Sequence, residues 1–226
     1  MCVNPIAVAI DGPAGAGKST IAKAAAARLG FIYVDTGALY RTIGLAVSRR
    51  GVAGDDAQAV AALLPEVCVE LAYRDGTQRV LLNGEDVSDA IRTPEMSLYA
   101  SQVSAIPAVR AFLLDLQRGL AHRQSVIMDG RDIGTVILPN AQVKIFLTAS
   151  PQARAARRYA QQLLAGETES EESVLKKILA RDRQDETRKV APLRQAEDAV
   201  RVDTSEMTLE ESIAAVLEVI DRKMER

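Results

Sequence analysis

The sequence predicts an α/β fold built on a parallel sheet, with a small antiparallel insert beside it. Three observations carry this. The first 50 residues alternate short apolar runs with helix-like stretches, the order that layers helices on a parallel sheet. From Val67 to Arg74 the pattern changes to period two, with Asp75-Gly76 and Asn83-Gly84 as hairpin-turn dipeptides. Gly12-Pro-Ala-Gly-Ala-Gly-Lys-Ser19 has the G-x-x-x-x-G-K-[ST] spacing of a phosphate-binding loop.

The elements follow in order. Ile6 to Ile10 is a β-branched apolar run that predicts a buried strand, and Asp11 with the Gly-rich turn ends it. Lys18 to Leu29 is Ala-rich and stops at Gly30, a helix with a C′ glycine. Phe31 to Val34 predicts a second buried strand. Gly37 to Arg50 repeats apolar residues at Leu39, Ile43, Ala46 and Val47, a helical spacing. Two turns around three short runs predict an antiparallel meander, which fixes an insert at about 63–105. Pro107 suits a first helical turn, and Val109, Phe112, Leu113, Leu116 and Leu120 form one stripe after it. Ser125–Met128 and Val143–Leu147 predict further buried strands. Arg-rich helical segments are expected near 151–165 and 170–188, a short strand at Val200–Val202 and a closing amphipathic helix at Leu209–Met224.

Length and charge narrow the function classes. At roughly 100–200 residues per domain, 226 residues make one large domain or one domain with inserts. Apolar residues are 48% and charged residues 26% of the chain, which argues against wholesale disorder. With 28 basic and 30 acidic residues the net charge of −2 is too small for whole-chain capture of nucleic acid or membrane. The longest stretch free of Asp, Glu, Lys and Arg, Met96 to Val109, is too short to span a bilayer, and no secretory signal is expected. Cys2 and Cys68 make no metal motif and read as free thiols of a reducing cytoplasm. His122 follows an apolar stripe as a helix-end residue. One histidine and no cysteine pair make a zinc site or a Ser-His-Asp hydrolase hard to assemble.

The phosphate loop needs glycine because backbone N–H groups must turn inward around phosphate oxygens. Asp11, Gly12, Pro13, Ala14, Gly15, Ala16, Gly17, Lys18, Ser19 and Thr20 are therefore the expected ATP-binding segment. Lys18 supplies a point charge to the β- and γ-phosphates, and the Ser19 hydroxyl is suited to Mg²⁺. A guanine-reading Asn-Lys-x-Asp is absent from the sequence, and no Gly has Asp three residues before it. The strand-ending Asp129 is followed by Gly130, not by the acidic pair of a hydrolytic motor. The pattern points to phosphoryl transfer onto an acceptor.

On the acceptor side the chain resembles the bacterial-type cytidylate kinases, a family of nucleoside monophosphate kinases. The resemblance is carried by Ile10-Asp-Gly-Pro-Ala-Gly-Ala-Gly-Lys-Ser-Thr20, Asp35-Thr-Gly-Ala-Leu-Tyr-Arg41, Ser101-Gln-Val with Val109-Arg110, and Asp129-Gly-Arg-Asp-Ile-Gly-Thr135. Lys144-Ile-Phe-Leu147, Arg154-Ala-Ala-Arg-Arg158, and Arg181-Asp-Arg-Gln-Asp-Glu-Thr-Arg188 before Ala191-Pro-Leu193 complete it. It implies a three-layer P-loop kinase fold in a single domain, 1–226. The core is about 1–62, 106–150 and 190–226, the 63–105 insert lies on the monophosphate side, and a helical lid covers about 151–189. It implies transfer of the γ-phosphoryl group of Mg·ATP to CMP or dCMP by a monomer.

The resemblance assigns Lys18, Arg131, Arg188 and Asp129 to catalysis. It assigns Thr36, Tyr40, Arg41, Ser101, Arg110, Asp129, Gly130, Arg131, Asp132, Arg181, Asp185 and Arg188 to CMP. Within that set Arg41, Arg131 and Arg188 clamp the acceptor phosphate, a task suited to a planar guanidinium fork. Ser101, Arg110 and Asp132 meet the cytosine, and Arg181 and Asp185 the ribose. Arg154, Arg157 and Arg158, at i, i+3 and i+4, share a helix face and reach the donor phosphates. Each arginine alone also fits a solvated surface cation, and Asp132 also fits an ion pair with a neighbouring arginine. Two other readings stay open. One is a kinase of a different small acceptor, with Asp129 or Asp35 as base for a hydroxyl. The other is a non-catalytic nucleotide-binding protein.

Overall fold

The computed structural model describes residues 5–74, 77–164, 166 and 168–224; Cys2, Asp75, Gly76 and Glu167 lie outside them. In chain order the elements are β1 (Ala7–Asp11), α1 (Lys18–Leu29), β2 (Ile32–Asp35), α2 (Thr36–Arg49), α3 (Ala57–Leu63), β3 (Val69–Arg74), β4 (Thr77–Leu82) and β5 (Glu85–Asp86). They continue with α4 (Pro94–Val103), α5 (Pro107–Arg123), β6 (Val126–Gly130), β7 (Val143–Thr148), α6 (Pro151–Leu164), α7 (Glu171–Thr187), β8 (Val200–Asp203) and α8 (Leu209–Met224). The chain divides into two compact units: Met1–Tyr33 with Gln124–Arg226, and Val34–Arg123.

The first unit is organised by a five-stranded sheet in the order β2-β6-β1-β7-β8. β1 runs parallel to β6 and to β7, and β7 parallel to β8. β2 joins the edge where the Ile32 N–H donates to the Ser125 carbonyl at 2.9 Å. The central strand β1 is buried along its whole length, which explains its unbroken apolar run. Register aligns Val8 with Ile127 and Val143, and Ile10 with Ile145. These residues pack in one cluster with Ile21, Ala22 and Ala25 of α1 and Ile213, Val216 and Ile220 of α8. Each such large side chain contributes about 1.5–3 kcal/mol when removed from water. α1 ends at Gly30, as its composition predicts. Helices α6 and α7 share a small core of Ala155, Val174 and Ile178.

The second unit has its own core. Leu39, Ile43 and Val47 of α2 pack with Val80 and Leu82 of β4, Val103 of α4, and Val109 and Leu113 of α5. Its three-stranded sheet has the order β3-β4-β5, antiparallel throughout, with Val69 opposite Leu82 and Leu82 opposite Glu85. Asn83 and Gly84 turn the chain at φ 50° and 84°, the doubly positive pair of a type I′ turn. The antiparallel sheet falls inside the 63–105 segment, while the compact unit around it runs from Val34 to Arg123. α2 belongs there because its apolar stripe faces this core. His122 lies in the last turn of α5. No helix among the described residues is long and apolar enough to cross a membrane.

Candidate active site

The phosphate loop leaves the C-terminal end of β1, the central strand of the parallel sheet, at the edge where open parallel sheets bind ligands. Gly12 is required by close approach: a Cβ there would stand 1.9 Å from the Leu147 carbonyl oxygen of β7. Gly17 precedes α1, whose first turn has no acidic residue and whose cap makes no side-chain hydrogen bond. The positive end of the helix is thereby open to an anion.

Lys18 opens α1 and is buried. Its Nζ donates to the Pro13 carbonyl at 2.7 Å. Burial pushes its pKa down to about 7, and the Arg131 guanidinium pushes the same way; Asp129, Asp185 and Asp11 oppose. Ser19 Oγ donates to Asp129 Oδ2 at 2.8 Å, and Tyr33 OH donates to Asp129 Oδ1 at 2.9 Å. Asp129 lies opposite Ile10 in the β1–β6 ladder, so strand pairing carries it to the loop.

Asp11 ends β1 and its two oxygens accept from the Ile133 and Gly134 N–H groups at 2.8 and 2.7 Å. These follow Asp132 directly, in a wide helical turn, Ile133–Ile137. Burial is the main cause that lifts the Asp11 carboxyl to about 6.

Beyond β6 two ion pairs connect the same stretch to α7. Arg131 Nε donates to Asp185 Oδ2 at 2.7 Å, and Arg188 Nη2 approaches Asp132 Oδ1 at 3.4 Å. Arg188 Nε also donates to the Ala191 carbonyl at 2.6 Å. Gly130 connects Asp129 to this group, and Arg181 is half-buried one turn before Asp185 on α7.

The arginine trio of α6 separates by role. Arg154 is 3% exposed and pairs bidentately with Asp182 of α7, at 2.9 and 2.6 Å. It also donates to the carbonyls of Ala149 and of Ala14 in the phosphate loop, both at 2.9 Å. Arg157 donates to the backbone oxygens of Thr204 and Met207. Arg158 is exposed.

Unit 2 gathers the remaining expected residues among themselves. Thr36 and Tyr40 are buried in α2. Asp35 caps α2 by accepting from the Ala38 N–H, and accepts from Arg41 Nη2 at 2.7 Å. The Arg110 guanidinium stacks over the Tyr40 ring at 5.6 Å and donates to the Ser104 carbonyl. Ser101 is half-buried on α4, its carbonyl accepting from Ser104 Oγ.

The family model described as cytidylate kinase matches residues 8–222. The chain belongs to the cytidylate kinase family. It is 46% identical over 216 residues to a protein named cytidylate kinase from Carboxydothermus hydrogenoformans, covering 96% of this chain and 97% of that one. It is 49% identical over 220 residues to one of the same name from Geobacter sp. strain M21, covering 97% and 92%. A crystal structure of an uncharacterized protein from Eubacterium ventriosum resembles the fold, with TM-score 0.51 at 11% identity over 96% of this chain and 98% of that one.

Two residues of this cytidylate kinase family member escape sequence reasoning. Tyr33 sits in an apolar strand and gives no polar signal, yet it holds Asp129. Asp182 stands among alternating charges on α7, and nothing in its spacing marks it as the partner of Arg154. The oxygen set at Ser19 and Asp129 fits Mg²⁺, a hard cation that takes few protein ligands and completes its octahedron with water and phosphate oxygens. Among the described residues no cluster of three or more His, Cys, Asp or Glu competes for that task.

Proposed function

We propose that this protein transfers the γ-phosphoryl group of Mg·ATP to CMP or dCMP, giving ADP and CDP or dCDP. The observation that carries the reading is the buried Lys18 of the phosphate loop next to the Ser19–Asp129 pair, with Arg131 two residues beyond Asp129 and held by Asp185. Cations set among oriented carboxylates in this way suit a polyanion, and a donor phosphate meeting an acceptor phosphate is such a polyanion.

The chemistry then needs little covalent help. An ionised oxygen of the acceptor phosphate attacks the γ-phosphorus, and the bond to the β-bridging oxygen breaks. No strong general base is required. Catalysis is positioning and charge neutralisation. Backbone N–H groups of Ala14 to Lys18 and the N-terminus of α1 hold the donor phosphates, and Lys18 exchanges its Pro13 contact for them. Mg²⁺, when bound, offsets charge on the donor phosphates; Ser19 would hold it, with Asp129 beside it. Arg131 and Arg188 turn from Asp185 and Asp132 toward the acceptor phosphate, joined by Arg41. Ion pairs with carboxylates keep these guanidinium groups oriented before substrate arrives.

Asp132 accepts from the exocyclic amino group of cytosine, while Ser101 and Arg110 serve its other polar edge. Arg181 and Asp185 meet the ribose. Arg154 steadies the loop through Ala14, and Arg158, exposed, is the trio member best suited to reach the donor phosphates on closure. The exposed thiol of Cys68 suits a reducing cytoplasm.

The test is ADP release in a coupled assay across all common nucleoside monophosphates. CMP and dCMP are expected to drive release far above UMP, AMP and GMP. ATP binding without acceptor-dependent release would overturn the reading, and so would preference for a neutral alcohol.

A further inference from the structure

We infer that Asp11 is a positioning residue for the acceptor side, holding the turn that aims Asp132; the inference rests on the reading of Asp132 as the group that meets the base. Asp11 is the last residue of β1 and the one before the phosphate loop, so its place in the chain points to ATP. Its carboxylate points elsewhere. Both oxygens are taken up by backbone N–H groups, Oδ1 by Ile133 and Oδ2 by Gly134, at 2.8 and 2.7 Å. Asp11 lies beside Gly130 in the β1–β6 ladder, which brings it to the segment leaving β6. It is 5% exposed.

The turn is tied at both ends. The Asp132 carbonyl accepts from the N–H groups of Val136 and Ile137 at 2.9 and 3.2 Å, while Asp11 fixes the two N–H groups next to Asp132. Space is tight as well: a Cβ at Gly134 would lie 3.4 Å from Asp11 Oδ2 and 3.2 Å from Lys144 Cδ. Only a carboxylate offers two acceptors in this geometry. An asparagine offers one, and turns an N–H₂ toward the other N–H. The consequence is a division of labour: Asp11 sets acceptor discrimination through the turn and leaves ATP affinity to Lys18 and the loop backbone.

The experiment compares wild type, Asp11→Asn and Asp132→Ala. It measures kcat/KM for CMP and for UMP at saturating ATP, and ATP affinity by titration without acceptor. For Asp11→Asn the CMP-to-UMP ratio is expected to fall about tenfold, the cost of one charge-assisted hydrogen bond, with ATP affinity within about twofold of wild type. A fall in ATP affinity at an unchanged ratio would overturn the inference. If Asp132→Ala lowers the ratio and Asp11→Asn does not, this inference alone fails; if neither does, the base-reading role of Asp132 fails with it. Should Asp11→Asn not fold, amide hydrogen exchange of the wild type decides. Slow exchange at Ile133 and Gly134 with and without ATP supports the clamp, and fast exchange at both refutes it.

Discussion

Tyr33 and Ser19 grip the Asp129 carboxylate from opposite oxygens, at 2.9 and 2.8 Å, so a phenol at the start of the fold's edge strand sets the acid beside the phosphate loop. Tyr33→Phe removes one neutral-to-charged hydrogen bond and little apolar contact. The expected loss of stability is about 1.5–3 kcal/mol, read from urea unfolding. Unchanged stability would mean that the Tyr33 hydroxyl contributes nothing to holding Asp129.

Lys18→Ala is expected to lower turnover by about 10²–10³-fold, the scale for removing one charge-stabilising group, with the melting temperature kept or raised. Lys18 is buried, and burial with the Arg131 guanidinium disfavours its charged form, so removing the ammonium costs the fold little. Near-normal turnover in the folded variant would contradict the role of the loop.

Arg154 and Asp182 form a bidentate pair whose arginine is 3% exposed. Asp182→Ala leaves that charge buried without its main partner, at a cost of about 3–5 kcal/mol. Arg154→Met with Asp182→Leu is expected to recover much of the loss in thermal unfolding, because neither charge then remains. Equal destabilisation of the single and double variants would show that packing, not the pair, holds α6 to α7.

Asp11 also predicts a pH dependence. Its carboxyl is raised to about 6 in the folded chain from an ordinary 3.8, chiefly by burial and further by Asp132, with Lys18 and the two N–H bonds opposing. A folded-state pKa above the unfolded one favours folding while the group is protonated. The contribution is complete below pH 3.8 and is lost as pH rises through 6. Relative to Asp11→Asn, wild type is expected to lose stability between these values and run parallel above pH 7. The melting temperatures of both proteins across pH 4–8 check this; parallel curves throughout would contradict it.

Much of the fold was legible because its signals are local. The strand Ala7–Asp11 is a continuous apolar run, α1 is Ala-rich up to Gly30, and Asn83-Gly84 can make a tight turn with little strain. Two helices were not legible. α4 is announced only by Thr93, whose side chain accepts from the Met96 N–H, and by Pro94; its body lacks basic residues and a strong apolar stripe. α3 is seven residues long, too short for periodicity to speak. The phosphate loop could be read from spacing because phosphate imposes that spacing on one short segment. The ion pairs Arg131–Asp185, Asp132–Arg188 and Arg154–Asp182 join positions 28 to 56 residues apart, and pairing at that distance follows from packing. The same holds for Asp11, whose sequence neighbours indicate ATP while its oxygens face the turn after β6.

The claim on which the acceptor chemistry turns is that Asp132 reads cytosine, and the ratio of kcat/KM for CMP over UMP in Asp132→Ala tests it most directly. Loss of the carboxylate removes its bond to the cytosine amino group, about 1–3 kcal/mol of transition-state binding. Uracil presents an oxygen there and loses less. Arg188, left without Asp132 at 3.4 Å, disturbs the phosphate clamp for both acceptors alike and cancels in the ratio. The account predicts that both activities drop and that the ratio falls about tenfold or more. Equal loss on CMP and UMP would contradict it, and would leave Asp132 as a residue that orients arginines and does not touch the base.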